Sequence, residues 1–424
     1  MCGEHTLLIA AFCLQRINIL LKMTKIKLGL AALLVAFSIC ASAQQASMTF
    51  GKGLSFMAKD SSMSMKLTFR FQTLFVAEQT LNDKGQFQND FESFLNIRRS
   101  RIKMDGFVYN PKLVYKIELA LSNRDIGLGS INGDEANFNA ASSIVLDAVL
   151  KWRFAKHTEL WFGQTKLPGN RERVISSQKL QFVDRSLLNN QFNLDRDVGI
   201  HLRNQHEFGE HFVVREIACI SLGEGRNVTT ANDDGFAYTG RVEVLPFGEF
   251  ASEGDYVGSD ISREAHPKLS VAVTYDFNND SRRTRGQLGS FIDDDSLIRD
   301  TQSIHADFMY KHRGFSMMGE YATRYVENAD PSVYYVGNAY SIQAGYLFKC
   351  NFEVAGRFTQ LNPDKWDPEN LRLIDGTQTN QYTLGVSKYI VGHNLKIQSD
   401  LSSTAKENDD NRYLMYRFQV EMQF

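Results

Sequence analysis

The sequence predicts an all-β protein: a transmembrane antiparallel β-barrel of sixteen strands with an inward-folded third loop. Three observations carry that reading. Apolar and polar residues alternate with period two from Met63 to the C-terminal Phe424, as half-lipid, half-water strands require. Tight turns between strands alternate with long polar connections, the asymmetry of barrels that span a membrane. After the N-terminal leader no apolar run is long enough for a membrane helix. A closed sheet is then the remaining way to pair every backbone group in lipid, and closure also removes exposed edges.

The leader comes first. Lys25 and Lys27 form a basic start, 28–40 is apolar, and Ala41-Ser42-Ala43 is a small-residue cleavage site. Residues 1–43 therefore read as a secretory signal peptide, with the true start at Met23. Residues 44–62 read as a polar periplasmic lead-in, and 63–424 as the barrel domain. Removing the leader leaves 43 basic against 48 acidic residues, a net formal charge of −5, unlike a general nucleic-acid binder. Only Cys219 and Cys350 remain, which is no disulfide scaffold, and both read as free thiols.

The strands follow in order. Met63, Met65, Leu67, Phe69 and Phe71 share one parity. Ile102, Met104 and Val108 oppose Arg99, Arg101 and Lys103. Leu113, Tyr115, Ile117 and Leu119 alternate with Lys116 and Glu118; Leu146, Ala148, Leu150 and Trp152 alternate with Asp147, Lys151 and Arg153. Twelve further candidates complete the count: 158–167, 197–208, 211–220, 235–246, 268–278, 301–312, 314–326, 338–349, 351–361, 380–391, 393–402 and 412–424. Tight turns are read at Tyr109-Asn110-Pro111, Gly209-Glu210, Arg313-Gly314, Lys349-Cys350 and Gly392-His393. Long connections are read at 123–142, 221–234, 279–300, 327–337, 362–379 and 403–411. Tyr109, Tyr238, Tyr256, Tyr325, Tyr346, Phe348 and Tyr389 lie near strand ends, where interface girdles form. A soluble sandwich would need a core shared between sheets, and no tandem period supports a solenoid or propeller.

One stretch stands apart. Residues 160–203 start and end as strand, with an excursion between that is too long for a hairpin and too rich in aliphatic and aromatic residues for disorder. It follows the fifth strand and carries Arg171, Arg173, Lys179, Asp184, Arg185 and Arg196. A barrel interior would accommodate it.

The segment LNIRRSRIKMDGFVYNPKLVYKIELAL resembles the phosphate-selective porin O and P family, with its Arg98-Arg99 pair, a glycine at 106 and a short turn before the next strand. GQTKLP, then FVDRSLLNN and DRDVGIHL, resemble the strand end, loop end and return strand around that family's third loop. The matching residues are Gly163, Pro168, Ser177, Phe182, Asp184, Arg185, Ser186, Arg196, Asp197 and Gly199. The alternating 412–424 segment, ending on Phe424, resembles the terminal signal read by the barrel-assembly machinery. The resemblance implies a homotrimeric porin in the outer membrane of a Gram-negative bacterium, seated among lipid and lipopolysaccharide. Its third loop would narrow a pore that draws small anions such as phosphate, or hydrophilic solutes generally, with no cofactor.

On that expectation the cations of the polar faces line the pore. Arg99, Arg101 and Lys103 share parity, about 7 Å between neighbours on one strand face. Lys151 with Arg153, and Arg203, Arg241, Arg324 and Arg357, occupy like positions. Arginine offers a fork suited to oxyanions, whereas lysine offers a mobile point charge. The competing role is structural: wall carboxylates at Asp105, Glu118, Asp147, Glu243, Glu320 and Glu353 could pair with them. Arg171, Arg173 and Lys179 are the loop residues placed nearest solute, while Asp184, Arg185, Arg196 and Asp197 read as charge pairs at the loop base.

Other chemistries are declined. His201, His206 and His211 alternate faces and converge on no metal site. The Asn227 sequon means little in such a membrane, and no nucleophile elbow or spaced triad points to an enzyme. Two classes remain: a passive channel, and an outer-membrane receptor, adhesin or assembly subunit with no significant conductance. Ion selectivity separates them.

Overall fold

A computed structural model describes residues 47–122, 125, 144–209, 211–228, 235–326, 333–367 and 372–424. The expected signal peptide (1–43), Glu210, and most of 123–142, 229–234 and 327–332 lie outside the described residues.

Sixteen antiparallel strands form one closed barrel. They are β1 Ser64–Leu81, β2 Phe87–Phe107, β3 Leu113–Ala120, β4 Val145–Trp152, β5 Thr158–Lys166 and β6 Arg196–Phe208. Next come β7 Phe212–Ser221, β8 Ala237–Leu245, β9 Lys268–Ser281, β10 Arg299–His312 and β11 Phe315–Val326. The last five are β12 Gly337–Leu347, β13 Phe352–Asp367, β14 Thr379–Val391, β15 Leu395–Lys406 and β16 Arg412–Gln423. Each pairs with its neighbour in sequence, and β16 closes on β1 from Arg412↔Leu81 to Gln423↔Arg70. Every strand expected from periodicity is present. No helix among the described residues is long and apolar enough to cross a membrane, and the strands make the crossing.

The burial pattern is that of a barrel in lipid. On β9, Ser270, Thr274 and Asp276 are buried toward the lumen, whereas Val271, Val273 and Tyr275 stand exposed outside. A polar interior and an apolar exterior invert the soluble arrangement and suit a spanning barrel. Tyr238, Tyr325, Tyr346 and Phe348 are exposed near strand ends. Tyr256 and Tyr389 depart from the girdle expectation. Tyr389 is buried and donates to Glu353, and Tyr256 lies in a connection that turns into the lumen.

The first two strands run longer than their alternation suggests. Their pairing carries an irregularity at Gln72/Thr73, where Arg98 is the extra residue, and a second at Glu78/Thr80. A bulge shifts side-chain parity, so the period-two signal breaks there although the strand continues.

The polar lead-in also forms sheet. Gly53–Met57 pairs with β1 from Leu54↔Leu67 to Met57↔Ser64, and Ser47–Thr49 pairs with it in turn. The reason is strand length. β1 starts below the point where β16 ends, and its remaining N–H and C=O groups need partners. Phe424 exchanges backbone hydrogen bonds with Phe69, and the two rings stack at 5.9 Å.

Tight connections at one end join β2–β3, β4–β5, β6–β7, β10–β11, β12–β13 and β14–β15. The exception at that end is 246–267, between β8 and β9, which folds into the barrel.

Candidate functional site

The long third loop, 167–195, leaves β5, crosses the lumen and returns to β6. It carries helix α1 (Arg171–Val174) and helix α2 (Leu187–Gln191), with a 3-10 turn at Ser177–Lys179. Its first segment is tied to the far wall. Arg171, fully buried, donates to Asp307 at 2.7 Å, to Ser270 at 2.8 Å and to the Asp255 carbonyl at 3.1 Å. Arg241 spans Asp307, Glu243 and the Gly169 carbonyl at 2.7 to 3.0 Å. Each cation thus compensates buried acids that would otherwise be costly.

The loop also closes on itself. Glu172 accepts from the Ser186 N–H at 3.0 Å and its hydroxyl at 2.6 Å, and Arg357 reaches the same carboxylate at 3.4 Å. Ser186 caps α2 by accepting from the Asn189 N–H at 3.2 Å. Leu188 and Phe192 then pack against Ala322, Ala339 and Leu361. At the lowest part of the loop, Gln181 donates to Ser316 at 2.9 Å and Glu353 at 2.8 Å.

The 246–267 connection meets the loop from below. The Gly258 N–H donates to the Lys179 carbonyl at 2.8 Å, and Ser259 donates to Glu353 at 2.6 Å. A Cβ at position 258 would fall 2.6 Å from the Gln181 nitrogen, so the contact needs glycine. Lys311 donates to the Ser259 carbonyl at 2.7 Å. Tyr256 donates to Glu243; burial, then that carboxylate, holds the phenol protonated well above its ordinary range.

Together the two insertions fill the side of the lumen facing β9–β15. The open passage, about 1320 Å³, runs along the opposite wall. Among the described residues, seventeen Lys and Arg side chains line it against ten carboxylates. At the extracellular mouth stand Arg226 and Arg285, with Asp125. At the waist, Arg98, Arg99, Arg101, Lys116 and Arg417 on the wall face Arg173 and Arg185 on the loop, with Lys166 and Arg196 at its base. The acids at this level are Glu118, Asp147, Asp184 and Asp195. Below are Lys151, Arg153, Lys156, Arg203, Arg215 and the loop's Lys179. They face Glu159, Glu243, Glu249, Glu253 and Asp255.

Nine of the seventeen have a carboxylate in reach. Arg98 and Arg99 hold Asp184 at 2.9 and 3.4 Å. Burial alone would raise the Asp184 carboxyl, but these two arginines outweigh it and hold it well below the usual range. Arg101 joins Glu118 and Asp125, Lys116 and Arg196 share Asp147, and Arg173 holds Asp195 at 2.6 Å. Arg153, Arg215 and Arg417 pair with Glu159, Asp255 and Asp400. Among the described residues, Lys166, Arg185, Arg226, Arg285, Lys151, Lys156, Lys179 and Arg203 have no such partner. Lys166 and Arg185 are aimed instead by backbone carbonyls of 172–175. Lys151 and Arg203 stack on Trp161, 3.6 and 3.9 Å from its ring centroid.

A family model, phosphate-selective porin O and P, matches residues 65–424. The chain belongs to this family. It is therefore a passive outer-membrane channel of a Gram-negative bacterium, with transport and no chemical step as its activity. Its fold is similar to two solved porins. The anion-selective porin from Comamonas acidovorans has a TM-score of 0.51 at 12% identity, covering 85% of this chain and 100% of that one. Salmonella typhi OmpF, solved with daunomycin, has a TM-score of 0.51 at 12% identity, covering 86% and 98%. No curated protein sequence matches the chain.

In this porin the residues singled out from sequence fall into three places. Arg99, Arg101, Lys151, Arg153 and Arg203 line the passage, as do the loop-region residues Arg173, Lys179, Asp184, Arg185 and Arg196. Lys103 lies outside the lining and pairs with Asp105 at 2.8 Å. Arg171, Arg241, Arg324 and Arg357 point inward but are sealed behind the loop. Arg324 donates to the Gln191 carbonyl at 3.0 Å, and Arg357 to the Asp184 carbonyl at 3.0 Å. Parity places a side chain on the inner face; it does not say whether a loop will cover it.

Eight lining cations are not marked by the sequence pattern, namely Arg98, Lys116, Lys156, Lys166, Arg215, Arg226, Arg285 and Arg417, and neither is the whole 246–267 connection. Arg98 was hidden by the bulge, which turns it and Arg99 inward together. Arg226 and Arg285 sit on outer loops whose inward fold has no local signature. The signal for 246–267 was length alone, at an end where the other turns are tight.

Proposed function

We propose that this channel prefers anions, with phosphate-like oxyanions among its solutes, and that it works as a homotrimer. The observation that supports the preference is the lining itself. Among the described residues, basic side chains outnumber acids seventeen to ten, and eight of them have no carboxylate partner there. Fixed positive charge in a narrow, low-dielectric passage concentrates anions and excludes cations. Lysine and arginine at the waist supply the donors an oxyanion uses when it sheds water. The net negative charge of the whole chain does not oppose this, because field in a pore is set by the groups that line it.

The same reading takes 1–43 as a leader removed before Gln44, takes lipopolysaccharide and lipid as the outer surroundings, and takes the terminal strand as the segment recognised by the barrel-assembly machinery. The test is the reversal potential of purified protein in a planar bilayer under a salt gradient, with native mass for the trimer. Anion-side reversal with chloride, and inhibition of that current by added phosphate, is expected. Cation-side reversal would overturn the preference. Well-inserted barrels without conductance would favour a receptor, adhesin or assembly subunit.

A further inference from the structure

The fixed charge of the passage is divided unevenly along its axis. Among the described residues, from the extracellular mouth through the waist, eleven basic side chains face five carboxylates. Below the waist, six face five. Three of those five acids, Glu249, Glu253 and Asp255, belong to the connection between β8 and β9. Without them the lower half would be positive as well.

The connection is built to present this charge. Ser252 and Glu253 both adopt left-handed backbone, each at φ 55°, which turns the segment at the mouth. Glu253 is exposed there and has no cation in reach among the described residues. Arg215 must answer Asp255 at 2.7 Å, Glu249 at 3.1 Å and Glu243 at 3.5 Å. Arg241 and Arg171 reach Glu243 and Asp255 from behind the loop but also answer Asp307, so these three cations against Glu243, Glu249, Glu253, Asp255 and Asp307 leave that side of the lower passage negative, offset across the lumen by Lys151, Lys156 and Arg203.

We propose that the β8–β9 connection makes this porin a rectifier, carrying more current when anions move from the extracellular side toward the periplasm than in reverse. The inference rests on the anion preference proposed above. In the positive half, anions carry nearly all the current; in the balanced half, both ions share it. Anions driven inward leave the positive half faster than the balanced half can pass them on, so salt accumulates there and conductance rises. Driven outward, they strip the balanced half of both ions and conductance falls. Glu249 and Glu253 are the determinants, acting through the field and touching no solute.

The experiment is a current–voltage curve of the full protein inserted from one chamber, in about 0.1 M KCl, where charges act over roughly 10 Å. Orientation is read by impermeant maleimide at Cys350, an exposed thiol in the tight turn between β12 and β13. Inward anion current should exceed outward by about 1.5-fold or more, and the ratio should approach unity near 1 M salt, where screening shortens to about 3 Å. The E249Q/E253Q variant, which leaves six cations against three acids in the lower half, should bring the ratio toward unity. The K156E variant, which makes it net negative, should raise it. A linear curve from an anion-preferring wild type, or a ratio unmoved by both variants, would overturn the rectifier alone. Loss of anion preference in the wild type would overturn the proposed function and the rectifier with it.

Discussion

Arg171 and Asp307 meet at 2.7 Å in the middle of the barrel, both buried, one from the inserted loop and one from β10. Arg241 shares the same carboxylate at 2.7 Å from β8. A loop held this way is part of the wall, and its position sets the width of the passage.

Replacing Arg171 by alanine should therefore loosen the loop without opening the barrel. Removing one partner of a buried pair costs about 3–5 kcal/mol, here softened because Arg241 still faces Asp307. Hydrogen exchange over 167–195 should accelerate, and single-channel current should become noisier and larger. The barrel should still resist denaturation in detergent. Unchanged exchange in that segment would show that the anchor lies elsewhere.

Asp184 bonds two arginines at the waist and offsets one of their two charges. The D184N variant keeps the shape and removes the charge. The anion-to-cation permeability ratio should rise about twofold at low salt, since one charge within about 4 Å is worth kilocalories at intermediate dielectric. A fall in that ratio would mean Arg98 and Arg99 act only as struts.

Lys151 and Arg203 flank Trp161 and answer to no acid among the described residues, whereas Arg357 lies behind the loop. K151Q with R203Q should lower the anion preference at least about twofold at low salt and far less near 1 M. R357Q should leave the preference nearly unchanged while reducing protection of the loop. Equal effects of the two variants on selectivity would contradict the division between lining and sealed cations.

Phe424 stacks on Phe69 and completes the β16–β1 seam. The F424A variant should assemble slowly, seen as an excess of unfolded, heat-independent migration on gels soon after induction. Barrels that do form should conduct normally. An unaltered assembly rate would remove the terminal ring from the closing step.

Much of the fold was legible because alternation is a direct imprint of a wall with lipid on one side and water on the other. The position of the third loop follows from counting strands, whereas the charge pairing expected of Asp184 and Arg185 at its base does not: Asp184 bonds Arg98 and Arg99 on the wall, and Arg185 is held by backbone carbonyls. The lining was less legible. Arg241 and Arg99 have the same signature in sequence, yet one is a strut under α1 and the other faces the passage. That difference arises from how 167–195 and 246–267 pack across the lumen, through contacts such as Gly258 on Lys179 that no local pattern encodes. Arg98 was lost to a one-residue bulge.

The edge of β1 is shared by the two ends of the described chain. β16 occupies its upper part and Gly53–Met57 its lower part. Arg70 and Glu421, which bond across the seam, are 351 residues apart. The first strand to leave the ribosome thus waits for the last, and no partial chain can close. Contacts of such separation are slow to form, and an unpaired apolar strand meanwhile invites aggregation. The molecule must cross the periplasm unfinished, so its yield in the cell should depend on holding chaperones more than on the stability of the finished barrel.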